Sequence, residues 1–244
     1  MSENSAKILA GCVLLSDYKY DWDVFRMQLF DDWKMEVTEE AEEFSFQFTV
    51  NDVHIACMLV PAPKQGAAEC GANNYEWPEA AEKAAAHVAH VEIGVMDCEN
   101  PLQRHVLFTM LASSMMKQEN VIGLYQYPVV HRAQTYIEGA QVLLQDEFPV
   151  TYWVYIGLYR DKEGDWNSYT YGMEDFDKEE IEILHSKAGL IELYRFMTQI
   201  VTYLITSNDT LEPGQRIGSD EKNSYEITRS KAAAFDGETL KIAF

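Results

Sequence analysis

Positive charge is scarce in this sequence. Of its 244 residues, 19 are Lys or Arg and 40 are Asp or Glu, which gives a formal net charge of −21. The acids are spread evenly, since residues 1–122 hold 20 acids and 8 bases and residues 123–244 hold 20 acids and 11 bases. Nucleic acids and anionic membranes attract proteins through Lys and Arg. The composition therefore argues against both as partners and favours a basic protein, with plain solubility as the alternative explanation.

Long apolar runs are also missing. No window approaches the roughly 20 apolar residues that a membrane-spanning helix requires. Leu9-Ala10-Gly11-Cys12 looks like a lipoprotein cleavage site, but only Ile8–Ala10 follow Lys7, whereas a secretory signal needs about 7–15 apolar residues there. The apolar run continues instead through Leu15, which predicts a buried strand. We expect a cytoplasmic protein.

Recognisable catalytic and cofactor motifs are absent. The four cysteines, Cys12, Cys57, Cys70 and Cys98, show no Cys-x-x-Cys spacing and suit buried thiols in a reducing compartment. The sequence contains no Gly-x-Ser-x-Gly elbow, no complete phosphate-binding loop and no dinucleotide fingerprint. We therefore predict no cofactor and no catalytic residues, and we favour a binding module over an enzyme.

The first hundred residues carry a regular pattern of strands and helices. Asp21 precedes apolar residues at helical spacing, and Phe44, Phe46 and Phe48 alternate with polar residues, as in a half-buried strand. The predicted elements are a strand over 7–15, a helix after Asp21, a hairpin of 44–50 and 54–60, a helix from Pro78 to about His87, and a strand over 88–96. This order, β-α-β-β-α-β, predicts a ferredoxin-like arrangement of split βαβ units.

The remainder of the chain predicts further helices and antiparallel strands. The clearest helix spans 189–206, where apolar residues recur at helical spacing. The other predicted elements are a helix after Pro101, a strand over 121–125, a helix ending near Gln145, a hairpin of 152–159 and 166–171, and strands near 225–228 and 239–243. No low-complexity linker divides the chain, so we predict a single α+β domain over 1–244 with sub-halves of about 6–98 and 99–244.

Several strings resemble an uncharacterised bacterial family, domain of unknown function 4261. They are the early apolar strand with the Trp-rich helix after it, Met58–Pro63, Trp77–Ala80, His87–Val91, Tyr171–Phe176, Lys178–Glu182 and Gly237–Phe244. The resemblance spans nearly the whole chain and implies its fold, but it implies no reaction. By analogy of fold and charge, an immunity-type protein that neutralises a basic toxin fits these features.

One pair of histidines could bind a metal ion. His87 and His90 are three residues apart and lie near Glu76, Glu79, Glu92, Asp97 and Cys98. The His-Glu-x-x-His string of helical zinc sites is absent. His87 falls at the predicted end of a helix, where capping and packing explain it better than a metal does. A metal-dependent hydrolase or small-ligand protein using His87, His90 and nearby carboxylates is the alternative function.

The predicted partner-binding surface combines aromatic and acidic residues. Burial of the aromatic hairpin beneath helix 189–206 is the favoured explanation of its apolar faces, and an exposed protein interface is the other. Similarly, the acidic run 174–182 predicts a solvated face, with docking of a basic partner as the alternative. The candidate contact residues are Trp153, Tyr155, Tyr159, Trp166, Glu174, Asp175, Asp177 and Glu179.

Overall fold

A computed structural model describes residues 8–218 and 224–244 of the chain. The chain forms two compact units, Met1–Pro149 and Val150–Phe244. Mixed helices and antiparallel strands confirm the predicted α+β class. The first unit continues past the predicted sub-half boundary at residue 98, because strands from beyond that point join its sheet. That the whole chain is one domain stays a prediction.

The first unit is built on a six-stranded sheet with the order β2-β3-β4-β1-β5-β6, in which every neighbouring pair is antiparallel. The predicted strand over 7–15 is present, although Lys7 and the predicted start of the first sub-half at residue 6 lie outside the described residues. The strands are β1 (Leu9–Leu15), β2 (Ser45–Val50), β3 (Val53–Val60), β4 (Ala89–Met96), β5 (Val121–Gln126) and β6 (Val129–Arg132).

Several helices belong to the first unit, and two of them begin at residues whose side chains cap the helix. The side chain of Asp21 accepts hydrogen bonds from the backbone N–H groups of Asp23 and Val24, which caps α1 as predicted. Asn100 caps α4 in the same way, with Pro101 at the first helical position. The helices are α1 (Trp22–Trp33), α2 (Ala67–Gly71), α3 (Ala80–Ala85), α4 (Pro101–Met115) and α5 (Ala133–Ala140), and a 3-10 helix follows at Gln141–Gln145.

The two faces of the first sheet have different surroundings. On β1, a Cβ added at Gly11 would lie 2.8 Å from the ring of Phe108 in α4, so Gly11 and its neighbour Val13 face that helix. Leu14 points to the opposite face, where it packs with residues of α2 and α3. That second face is only partly covered, because Met58 on β3 is 48% exposed.

The ferredoxin-like arrangement is not confirmed. The predicted β-α-β-β-α-β order is present, with two short helices, α2 and α3, in place of the second helix. However, β1 lies beside β4 and β5, and antiparallel pairing throughout means that α1 links two strands of opposite direction. The helices α2 and α3 link β3 to its antiparallel neighbour β4. Neither connection is therefore a βαβ unit, which requires parallel strands.

The second unit also contains a six-stranded sheet, with the order β10-β11-β12-β9-β8-β7. Its one described parallel pair is β12 with β9, in which Lys241 lies opposite Glu182. The apolar face of α7 contacts β7 and β8. The elements are α6 (Val150–Trp153), β7 (Tyr155–Arg160), β8 (Trp166–Tyr171), a 3-10 helix (Met173–Phe176), β9 (Ile181–Ser186), α7 (Leu190–Ser207), β10 (Arg216–Gly218), β11 (Ser224–Lys231) and β12 (Glu238–Ile242).

Three of the described strands were not predicted, and one of them is the short β10 at Arg216–Gly218. β6 follows Pro128 directly, where we predicted only a helix. β9 begins at the end of the acidic run that predicted a solvated face, and it places Glu182 between Ile181 and Ile183, all three with no exposed surface. The solvated-face prediction is therefore wrong for the end of this run. It fails because alternating acidic and apolar residues can form a buried strand when the acids find hydrogen-bond donors.

Candidate functional sites

The acidic loop between β8 and β9 is held from inside by a buried carboxylate. Glu180 is 7% exposed and accepts hydrogen bonds from the Gly172 N–H at 2.7 Å, the Met173 N–H at 2.9 Å and the Thr170 hydroxyl at 2.6 Å. Burial raises the pKa of Glu180, and these hydrogen bonds partly oppose the rise. The buried side chains of Met173 and Phe176 anchor the loop further, so its backbone is fixed.

This loop presents acids to solvent. Glu174, Asp175 and Asp177 are exposed. Glu179 is half-buried and forms a two-pronged ion pair with Arg229, with contacts of 2.8 and 2.5 Å. Three of the four predicted acidic contact residues thus lie on the surface of one fixed loop. The fourth, Glu179, is already paired with the guanidinium of Arg229.

The predicted aromatic residues are mostly covered. Trp153 is 4% exposed and stacks on Phe176 with the ring centroids 6.0 Å apart; it belongs to α6, not to the predicted strand. Tyr155, Tyr159 and Trp166 are half-buried. The guanidinium of Arg160 lies 4.5 Å from the centre of the Trp166 ring, a cation–π contact. Burial was the favoured prediction for these aromatic residues. Trp153 is buried, and the other three rings are partly buried.

Glu182 is the most enclosed carboxylate of the second unit that the structure describes. With no exposed surface, it accepts from the backbone N–H groups of Ala233 and Ala234, from the Thr239 hydroxyl at 3.0 Å and from the Lys241 ammonium at 2.6 Å. Burial by itself raises the pKa of Glu182, but these donors outweigh burial and lower it. Glu182 therefore ties β9, β12 and the segment between β11 and β12 together, and it has no lone pair left for a ligand.

His87 has the capping role that its position predicts. Its Nδ1–H donates to the backbone carbonyl of Ala84 in the last turn of α3, and its Nε2 accepts from the backbone N–H of Lys64 at 2.6 Å. Both ring nitrogens are engaged in the neutral form, and burial lowers the pKa of the ring. With both nitrogens engaged, His87 has no lone pair to offer a metal in this form, and the alternative prediction of a metal pair with His90 stays a prediction without support from this geometry.

His90 lies in a different environment, which we call the Cys12 cluster: Cys12, Lys64, His90 and Glu92. On the antiparallel pair β1–β4, Cys12 is directly opposite Glu92, and Leu14 is opposite His90. Side chains at alternate positions of one strand share a face, so Cys12, His90 and Glu92 converge. Their ligand atoms lie within 4.8 Å of one another.

The loop after β3 completes this cluster. Nδ1 of His90 is 2.8 Å from the backbone carbonyl of Ala62, so Nδ1 carries a hydrogen and donates it to that carbonyl. Nε2 faces Glu92 Oε1 at 3.6 Å. The ammonium of Lys64 donates to the same oxygen at 3.2 Å and lies near the Cys12 thiol.

Burial differs sharply within the Cys12 cluster. His90 and Cys12 are 4% and 5% exposed, whereas the Glu92 side chain is 41% exposed. Burial raises the pKa of the Cys12 thiol to about 11, with Lys64 acting in the opposite direction. Cys12 is therefore a thiol at neutral pH and is not poised as a nucleophile, since the thiolate is the reactive form.

A second group of candidate metal ligands has a complete structural explanation. Asp161, Asp165 and His185 converge at the tip of the β7–β8 hairpin. Asp161 accepts from two backbone N–H groups of its own turn and from the His185 ring, while Asp165 holds the Lys187 ammonium. Burial opposes ionisation of Asp161, but the hydrogen bonds dominate and lower its pKa to about 2. The group serves to close the turn.

The first unit also contains an acidic cleft of about 1150 Å³ between the loop before α1, the start of α1, the segment before β2 and the segment between α4 and β5. Exposed aromatic side chains lie at its rim, with Tyr18 60% and Phe44 49% exposed. Of its bases, Arg26 pairs with Asp23 and Lys117 with Asp32. Its acids are Asp17, Asp21, Asp23, Glu40, Glu43 and Glu119.

Sequence reasoning missed the cleft, and of the Cys12 cluster it named His90 and Glu92 as possible metal ligands but neither Cys12 nor Lys64. The sequence could have placed His90 and Glu92 together, because residues at alternate positions of a strand share one face. The pairing of β1 with β4 and its register, which bring Cys12 opposite Glu92, are long-range features with no local pattern. The cleft likewise combines four separate segments.

Comparison with known proteins bears on the second unit. The family model described as Domain of unknown function (DUF4261) matches residues 169–243. This confirms the predicted resemblance over β8 to β12, including the acidic loop, and the similar strings of the first hundred residues lie outside the matched segment. No curated protein and no solved structure matches the chain. Among the described residues, no helix is long and apolar enough to cross a membrane.

Proposed function

We propose that the chain is a non-enzymatic protein-binding module, and that the acidic cleft of its first unit receives a basic segment of the partner. The cleft carries this proposal because it combines concave shape, excess negative charge and exposed rings. Complementary charge accelerates association and selects partners. Aromatic side chains such as Tyr18 and Phe44 supply the apolar contact that charges alone lack.

The acidic loop of the second unit is a further contact surface in this proposal. Glu174, Asp175 and Asp177 project from a backbone that Glu180 fixes internally, so little entropy would be lost when a partner binds. Tyr155, Tyr159 and Trp166 contribute their exposed edges. Trp153 supports the loop from beneath and makes no partner contact.

The more specific proposal is an immunity-type role, in which the partner is a basic toxin domain that the chain neutralises. Its support is the net charge of −21 together with the cleft. The four free thiols suit a reducing cytoplasm, where such a protein would act.

A binding experiment on matched charge variants tests the cleft. The probe is an oligolysine peptide, with an oligoglutamine peptide as the neutral reference. Glu40, Glu43 and Glu119 are exposed residues of the cleft, and their joint replacement by Gln removes three negative charges. We expect affinity for oligolysine to fall about tenfold, since each lost charge pair contributes up to about 1 kcal/mol. Oligoglutamine should not bind.

The control changes net charge equally at another place. Asp31, Glu36 and Glu76 are exposed and lie outside the cleft, so the variant D31N/E36Q/E76Q should lose less than about twofold. Equal losses in the two variants would mean that only total charge matters, and the cleft proposal would fail. Replacing Glu174, Asp175 and Asp177 by amides tests the loop in the same assay.

The immunity-type proposal needs its own experiment. The product of a gene neighbouring that of this chain is co-expressed with the protein, and cell survival and complex formation are measured. The proposal predicts protection that the cleft triple variant loses and the control triple variant keeps. Survival that is independent of the protein, with no complex formed, would exclude the role for that neighbour.

A further inference from the structure

We propose that Cys12, His90 and Glu92 bind a divalent transition-metal ion of the zinc class. The first argument is geometry. Zinc bonds to sulfur, nitrogen and oxygen are about 2.0–2.3 Å long, so the ligand atoms of one tetrahedral ion lie about 3.3–3.8 Å apart. Nε2 of His90 and Oε1 of Glu92 are 3.6 Å apart, inside this range, and the Cys12 sulfur lies within 4.8 Å of both residues' ligand atoms, so a shift of about 1 Å brings it into range.

The second argument is that His90 is already oriented for a metal. Its Nδ1–H donates to the carbonyl of Ala62, which fixes the tautomer and directs Nε2 into the cluster. Metal-bound histidines almost always donate their other ring N–H to a carbonyl or carboxylate in this way. The carbonyl belongs to the Pro61-Ala62-Pro63 segment, whose two prolines restrict the backbone.

The third argument is the charge of the cluster. Nε2 of His90 faces the Glu92 carboxylate at 3.6 Å. Lys64 places its ammonium against Glu92 and Cys12. The cluster therefore already attracts positive charge, and a metal ion would replace this ammonium.

The ligand types select the ion. One thiolate, one imidazole and one carboxylate form a mixed set that suits zinc or cobalt, whereas magnesium and calcium require oxygen ligands. Three protein ligands leave a fourth position, and it would open to solvent because Glu92 is 41% exposed. Binding releases the Cys12 proton, so affinity should rise with pH.

Cobalt(II) titration of the full chain tests this site, because a thiolate ligand gives cobalt a near-ultraviolet charge-transfer band. We expect one equivalent to bind with this band. Zinc should displace it. Cys12→Ser should remove the band, and Glu92→Gln, at a half-exposed position, should weaken binding about 100-fold or more, beyond the 10–100-fold of a lost supporting contact. Lys64→Met should strengthen binding about tenfold, because it removes a competing positive charge.

Two variants serve as matched controls. Cys98→Ser changes a buried thiol elsewhere in the first unit, and His87→Gln changes the neighbouring histidine that has no free lone pair. Both should keep the band and the affinity. The proposal is overturned if the wild-type protein gives no band, if Cys12→Ser retains it, or if Cys98→Ser loses it. Glu92→Gln with wild-type affinity would overturn the assignment of Glu92.

Discussion

Glu92 and Glu182 invite comparison, because each projects from a strand of a six-stranded sheet towards a lysine. Glu182 has no exposed surface and receives three donors besides Lys241. Glu92 is 41% exposed and receives the ammonium of Lys64, while its other near neighbour is Nε2 of His90 at 3.6 Å. A carboxylate whose acceptor sites are filled by the protein stabilises the fold. A carboxylate such as Glu92, which keeps open acceptor sites and lies beside other metal-ligating side chains, is available to a cation.

The largest expected effect is at Glu182. In Glu182→Gln, the amide NH2 would face the Thr239 hydroxyl or the Lys241 ammonium, both of which donate to the carboxylate in the wild type. Breaking a buried charge pair costs about 3–5 kcal/mol, and we expect the free energy of unfolding in urea to fall by that amount. Glu179→Gln, which breaks the half-exposed pair with Arg229, is the control and should cost less than about 1 kcal/mol.

Titration should separate Glu182 from Glu180, its neighbour on the chain. The pKa of Glu182 is lowered from 4.5, so its stabilisation is present above pH 4.5 and is lost as the pH falls through the folded-state pKa. The pKa of Glu180 is raised from 4.5. Ionisation of Glu180 therefore lowers the free energy of unfolding as the pH rises from 4.5 through the folded-state pKa. The two residues therefore contribute opposite slopes to stability against pH.

The variant Glu180→Gln tests how ionisation of Glu180 changes stability with pH. The amide can still accept from Gly172 and Met173 and can donate to Thr170, so we expect a loss of only about 1 kcal/mol near pH 4. That loss should shrink as the pH rises towards 7, because Gln does not ionise. Urea unfolding at several pH values checks this. A loss that grows with pH would show that the Glu180 pKa is lowered instead.

The smallest effect is expected at Glu92 without metal. Glu92→Gln removes a half-exposed contact with Lys64, and such pairs contribute about 0–1 kcal/mol. We expect the urea-unfolding free energy of metal-free protein to change by less than about 1 kcal/mol. A loss near that of Glu182→Gln would place both carboxylates in the structural class and remove the contrast between them.

Local patterns predicted much of the fold, as α1 and α7 illustrate. Asp21 and the apolar spacing after it define α1, and the stripe from Leu193 to Leu204 defines α7. β9 escaped prediction because Glu182 in the strand and Glu180 just before it give the segment an acidic composition, and their donors come from β8, the loop after it and the β11–β12 region. Burial of these acids depends on pairing between distant segments, which local sequence does not specify.

The candidate sites were less predictable, for the same reason. The acidic loop could be found from composition alone, because it is one continuous segment. For the Cys12 cluster, the sequence pointed to His90 but paired it with His87 by proximity along the chain. The observed neighbours are set by strand register, which places Cys12 opposite Glu92. His87 instead caps α3.

Urea unfolding of the wild type, Glu92→Gln and Glu182→Gln, with and without zinc, tests the central contrast most directly. We predict that zinc stabilises the wild type, by about 2.7 kcal/mol at a hundredfold excess over Kd, and that Glu92→Gln loses this gain while matching the wild type without zinc. Glu182→Gln should be destabilised by a similar amount in both conditions. Equal zinc stabilisation of the wild type and Glu92→Gln, or none in either, would contradict the account.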